Sequence, residues 1–213
     1  LKTTIAGVEI PDSALTRAAL DRIRCVESTM LLRHALRSFL FGALTGYREA
    51  LLFDDELLYV AALFHNVGLN ARYCRSPRRF EIDSADEARD FLRSNGIGEP
   101  AVTEVWTAIA LHTTPGIPEY MSPLVFLVSA GVQMDLRGAR YDEFTPRQRD
   151  EVVRAFPRES EFKHEILEVY ARGMERRPET AFGSINADIL DRCDPNYRRI
   201  NFCGLVLGSR WST

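Results

Sequence analysis

The run Leu57-Leu58-Tyr59-Val60-Ala61-Ala62-Leu63-Phe64 ends on His65-Asn66-Val67-Gly68. A helix that is apolar on every side has no face to offer water, so this segment has to lie inside the molecule. The imidazole and the amide at its tip go in with it, and each costs free energy there unless a hydrogen bond or a metal ion satisfies it. A fold for this chain must therefore bury one helix whole and supply partners at its C-terminal end.

The rest of the sequence reads as further helices around that one. Asp12-Ser13 caps a helix from Ala14 to Val26, and a second runs from about Ser28 to Gly46 with His34 on its apolar stripe. Asp54-Asp55 opens the buried segment, which Gly68 closes. Ser84-Ala85-Asp86-Glu87 matches a capping box for a fourth helix, ending near Gly96. Glu99-Pro100 starts a fifth that reaches His112, where Pro115 and Pro118 stop it. The sixth, about Ser122 to Leu136, is apolar nearly all round and so central. Thr145-Pro146 and Glu161 start two more, the last ending at Gly173. No strand pair and no internal repeat is visible. The expected architecture is all-α, a compact single-domain helical bundle over 1–213, with a helical core at about 12–175 and a tail, 176–213, packed on it.

Composition narrows the function classes. A net charge of −3 over 213 residues, with both signs interleaved, gives no nucleic-acid footprint. No apolar stretch reaches the roughly 18 residues that span a bilayer, and Glu9, Asp12, Asp21 and Glu27 interrupt any secretory h-region. A cytoplasmic chain without membrane partner is expected, possible homo-oligomers aside. Cys25, Cys74, Cys193 and Cys203 lack the spacing of a zinc ribbon or a redox pair and read as free thiols.

Three of the four histidines, His34, His65 and His112, fall on or at the ends of periodic segments, and Asp135 ends the apolar sixth helix. Helices could aim these groups, with Asn66, at one point, and imidazole nitrogen with carboxylate oxygen suits one divalent ion: zinc first, iron or manganese as alternatives. Taken singly, each residue has an ordinary explanation. His34 can be a bonded core histidine, Asp135 can pair with Arg137 or Arg140, and His112 and His65-Asn66 can be helix ends.

Their order resembles the HD-domain superfamily of metal-dependent hydrolases, in which a helical His is followed by a His-Asp pair ending a hydrophobic helix and by a distant Asp. The closest similarity is to the cyanamide hydratase-like branch. It is carried by Leu63-Phe64-His65-Asn66-Val67-Gly68, Arg79-Phe80-Glu81, Ala108-Ile109-Ala110-Leu111-His112-Thr113, Tyr197-Arg198-Arg199 and Asn201-Phe202-Cys203-Gly204, and spans about Pro11 to Trp211. The resemblance implies metal ligands at His34, His65, Asn66 and Asp135. It also implies a metal-activated water that attacks a small-molecule substrate, with addition across a nitrile-type carbon as the branch's reaction. His112 and Asn66 are then the candidate catalytic groups, and Phe80, Glu81 and Thr113 the candidate substrate-binding ones.

Asn66 departs from the pattern, because a neutral amide oxygen stands where the family has a carboxylate, and metal affinity should fall. A phosphohydrolase acting on a nucleotide or phosphoester is the main alternative activity. The lysine that many such members carry after the pair is absent, Gly68 being followed by Leu69. Arg72, Arg75, Arg78 and Arg79 could bind an anion or form a solvated face. A metal-free binding protein on the same fold is the third possibility.

Overall fold

The computed structural model describes residues 3–211 and is all-α, with ten α-helices and one two-stranded hairpin among them. The hairpin pairs β1 (Thr4–Ile5) with β2 (Val8–Glu9) and is too short to leave a sequence pattern. The helices are α1 (Ala14–Val26), α2 (Thr29–Arg48), α3 (Asp55–Phe64), α4 (Phe80–Ser94), α5 (Glu99–Leu111), α6 (Pro123–Arg137), α7 (Pro146–Ala155), α8 (Phe162–Met174), α9 (Asn186–Cys193) and α10 (Phe202–Leu207).

Local chemistry explains four of the starts directly. The Ser13 side chain accepts from Thr16 N, Ser28 from Leu31 N, Asp54 from Glu56 N and Leu57 N, and Thr145 from Gln148 N; each satisfies a backbone donor the helix itself leaves free. The fourth helix corrects the expectation, since it begins at Phe80 and not after Ser84. Ser84 is buried mid-helix, where its hydroxyl accepts from Gly68 N at 2.8 Å instead of capping its own helix. A Cβ on Gly68 would lie 2.0 Å from the Phe80 carbonyl oxygen, so the turn after α3 and the start of α4 meet backbone to backbone.

The centre of the bundle is α2 against α6. α3 packs on α2, α1 covers α3, and α5 joins α3, α4 and α6. α2 and α6 approach so closely that a Cβ on Gly131 would stand 1.9 Å from Ser38 O, and one on Gly42 would stand 2.7 Å from Leu127 O. A second apolar cluster forms where α8 and α9 close over the turn at Val67–Leu69. It draws in Ala181, Ala187, Leu190 and Tyr197 from the expected tail, which thus contains two helices, while 201–211 stay exposed. Among the described residues, no helix is long and apolar enough to cross a membrane.

Candidate functional site

His34 on α2, His65 at the C-terminal cap of α3 and His112 at that of α5 come together, all three fully buried. The His34 and His65 ring centroids are 5.1 Å apart, and those of His65 and His112 are 5.0 Å apart. Two of the rings are fixed by the helix they end. His65 Nδ1 lies 2.6 Å from Ala62 O and His112 Nδ1 lies 2.6 Å from Ile109 O; a carbonyl can only accept, so both Nδ1 atoms carry the proton. The third is fixed at long range, His34 Nδ1 lying 2.6 Å from Asp135 Oδ2.

Asp135 is a carboxylate there. Burial alone would raise its pKa, but the hydrogen bond from His34 and the Arg37 guanidinium outweigh burial and hold it well below the usual range. Arg37 grips it at both oxygens, Nε to Oδ1 at 2.7 Å and Nη2 to Oδ2 at 2.9 Å, and Arg158 Nη1 adds a contact to Oδ1 at 2.8 Å. His34 therefore donates from Nδ1, and in each ring Nε2 is the nitrogen left clear of the orienting partner. His34 Nε2 and His65 Nε2 are 3.2 Å apart, a hydrogen-bond separation. His112 Nε2 is buried without a partner.

A proton on His65 is resisted by burial first and then by His112 and His34, which push its pKa well down. Burial lowers that of His112 as well, against the pull of the Glu81 carboxylate. Both rings are neutral at pH 7.

The remaining expected residues surround this trio. Asn66 Oδ1 accepts from the Tyr170 hydroxyl at 3.0 Å, and its Nδ2 is left without a partner. Phe80 stacks edge to face between His112 and Tyr170. Glu81 is buried: its Oε1 accepts from Thr113 Oγ1, from Asn186 Nδ2 at 2.8 Å and from Arg79 Nη2 at 3.1 Å, while Oε2 has no partner. Burial alone would raise the pKa of Glu81, and Arg79 and its hydrogen bonds lower it on balance. Phe162 covers His34 at 6.0 Å between ring centroids, with Arg37 and Arg158 lying over its face.

Of the four expected ligands, Asp135, His34 and His65 form one run of contacts, and Asn66, next to His65, has its oxygen on Tyr170. Among the described residues, no group of three His, Cys, Asp or Glu side chains is gathered so as to hold an ion as it stands. Arg37, Arg158, Tyr170, Asn186 and Phe162 were not foreseen. Only Arg37 left a signal, standing three residues from His34 on one helix face.

No protein-family model matches the chain, and no curated protein matches it.

Proposed function

We propose that the chain is an HD-type metal-dependent hydrolase or hydratase acting on a small molecule, with one divalent ion held by His34, His65 and His112. The observation that carries this reading is the orientation of the three imidazoles. Each donates from Nδ1 to a fixed acceptor, His34 Nε2 and His65 Nε2 stand 3.2 Å apart, and His112 Nε2 is buried without a partner. A proton shared by His34 and His65 would relieve that pair and leave His112 Nε2 idle; an ion would serve all three. Nitrogen donors backed by a carboxylate and backbone carbonyls suit zinc before iron or manganese. When bound, the ion would supply a water activated near neutral pH.

The protein's own residues then divide the work. Asp135 fixes the His34 ring, and Arg37 fixes Asp135. Asn66 stands beside His65 with a free amide N–H that can donate to a substrate oxygen or nitrogen. Glu81 Oε2, next to His112, can accept a proton or a substrate N–H. Free groups of both kinds favour a small neutral molecule. A phosphoester is disfavoured because three of the four loop arginines are already taken, Arg72 by Glu87, Arg78 by Asp83 and Asp86, and Arg79 by Glu81, which leaves Arg75 alone for an anion. Three neutral ligands, with Asp135 spent on Arg37, also make for weaker metal affinity than the two carboxylates of the family pattern. The closed packing of Phe162 over His34 favours the alternative, a metal-free binding protein.

Elemental analysis after zinc loading and desalting tests the proposal on the chain, on His112→Ala and on Asn66→Asp. Near-stoichiometric zinc in the chain, loss in His112→Ala and tighter retention in Asn66→Asp are expected. Equal zinc content with and without His112 would overturn the ligand assignment. A metal-free chain beside a metal-free Asn66→Asp would overturn the metal centre itself. A loaded chain then goes to a screen of nitriles against phosphoesters, with turnover of the former expected.

A further inference from the structure

A groove of about 410 Å³ runs between the end of α6, α8 and α9, a capacity within the roughly 300–1,000 Å³ of small-molecule sites. Leu136, Ile166, Leu167, Ile185 and Ile189 line it together with the ring of Tyr170, so most of what it offers is apolar contact. Two cations interrupt that lining. Arg137, at the end of α6, and Lys163, at the start of α8, border the groove and have no carboxylate partner among the described residues. Arg137 Nε donates to Gln133 Oε1 at 2.7 Å, which steadies the guanidinium without compensating its charge. An exposed cation is ordinarily just solvated. These two differ in standing side by side on the border of one apolar cavity.

Charge around the groove is uneven. At Leu136, Arg137 and Lys163 it adjoins a depression of about 450 Å³ that also holds Arg149 and Arg158. The carboxylates of that depression are Asp135, already gripped by Arg37 and Arg158, and Asp150, so four cations stand with two acids. At Pro115, Ile185 and Asp188 the groove adjoins a different depression, and there the Asp188 carboxylate meets Arg199 at 2.7 Å. A ligand with an apolar body and one anionic end matches this layout. Its anion gains charge-assisted contacts at Arg137 and Lys163 and would meet a like charge at Asp188.

We propose that the groove binds a small amphiphile from free solution, an aliphatic carboxylate, with its head on Arg137 and Lys163 and its chain along Ile166, Leu167, Tyr170 and Ile189. Burial of the chain supplies the affinity, and the two cations select the anionic end. Tyr170 joins this site to the histidine centre, since its ring lines the groove and its hydroxyl donates to Asn66 Oδ1. The binding site rests on the groove and its two cations alone and does not depend on the catalytic reading.

Isothermal titration calorimetry on the full chain, with every probe below its micelle concentration, compares octanoate, octanol and acetate. Octanoate should bind as a single molecule per chain, octanol more weakly and acetate not measurably. Arg137→Gln/Lys163→Gln, which alters only exposed positions, should lower the octanoate affinity about tenfold, the worth of two exposed ion pairs, and leave the octanol affinity and the melting temperature nearly unchanged. Leu167→Ala should weaken octanoate and octanol by the same factor, and if that variant does not fold, Ile189→Ala replaces it. Added salt should weaken octanoate in the parent and leave octanol as it was. Absence of octanoate binding, an octanoate affinity no higher than that of octanol, or one indifferent to both cations would each overturn the proposal. Binding confined to phosphatidylglycerol vesicles would overturn it too, because the cations would then serve a membrane surface and not a pocket for a free molecule.

Discussion

Two buried guanidinium–carboxylate pairs stand in this molecule, Arg37 with Asp135 and Arg177 with Asp83, and they end differently. Around Asp83 every bond closes. Arg177 donates to Gly173 O, Arg78 O, Gly68 O and Asp83, and Asp83 also accepts from Ser76 at 2.9 Å and meets Arg78 at 2.8 Å. No atom of that pair is left over, and what it joins are three pieces of backbone. Around Asp135 the clamp is as firm, with Arg37 also donating to Phe156 O and Pro157 O, but the carboxylate passes the constraint on to His34. Beyond His34 the network passes to His65 at 3.2 Å and stops short at the buried, unpartnered His112 Nε2. Buried polar groups are normally satisfied, so a network that stops short of closing marks where a ligand belongs. A buried ion pair by itself does not.

That contrast can be broken by experiment. The largest effect expected is on stability alone. Arg177→Ala takes from Asp83 its buried guanidinium, leaving it Ser76 and Arg78, and strands three backbone carbonyls; it should cost about 3–5 kcal/mol in chemical denaturation without changing metal affinity in the molecules that remain folded. A change in metal affinity at constant fold would mean that the two networks are not separable. Asp135→Asn comes next. Asn keeps the shape and one acceptor, so the expected loss is about 1.5–3 kcal/mol. It also weakens the hold on His34, and zinc affinity measured by chelator competition should fall about 10–100-fold. Unaltered zinc affinity would show that Asp135 serves the fold only.

The smallest effect concerns a carboxyl without a clamp. Glu27, just past α1, has a buried Oε1 with no partner, and burial raises its pKa from 4.5 to about 7 against the partial pull of Arg72. The folded state thus keeps a proton there that the unfolded chain gives up. This contribution to stability is full below about pH 4.5 and is lost as the pH rises through about 7. Unfolding free energies measured from pH 4.5 to 8 should show a decline that Glu27→Gln flattens; parallel curves for the two proteins would refute the assignment.

Sequence patterns located the helices wherever the deciding interaction was local. Ser13, Ser28, Asp54 and Thr145 cap where their spacing says they should, because a cap needs only the next three residues. Ser84 misleads for the opposite reason: its hydroxyl is claimed by Gly68, sixteen residues away, and no local motif registers that. The same limit applies at the site. Periodicity was enough to suggest His34, His65 and His112 as neighbours. It could not tell whether Asp135 faces the centre or the back of His34, since that depends on Arg37 and Arg158, 98 residues before it and 23 after it. The apolar residues of α10 were legible; their exposure was not.

The glycine contact between α2 and α6 has a thermal consequence. His34 and Asp135 ride on these two helices, and Gly131 holds them at a separation where the Ser38 carbonyl leaves no room for a Cβ. With backbone against backbone there is no side chain to change rotamer, and a slip of either helix by one residue would drive a Cβ into a carbonyl. The His34–Asp135 alignment therefore has no soft coordinate along which to drift as temperature rises. Metal affinity should hold nearly level on heating and then fail in the same few degrees as the fold, so that this centre has no melting point of its own.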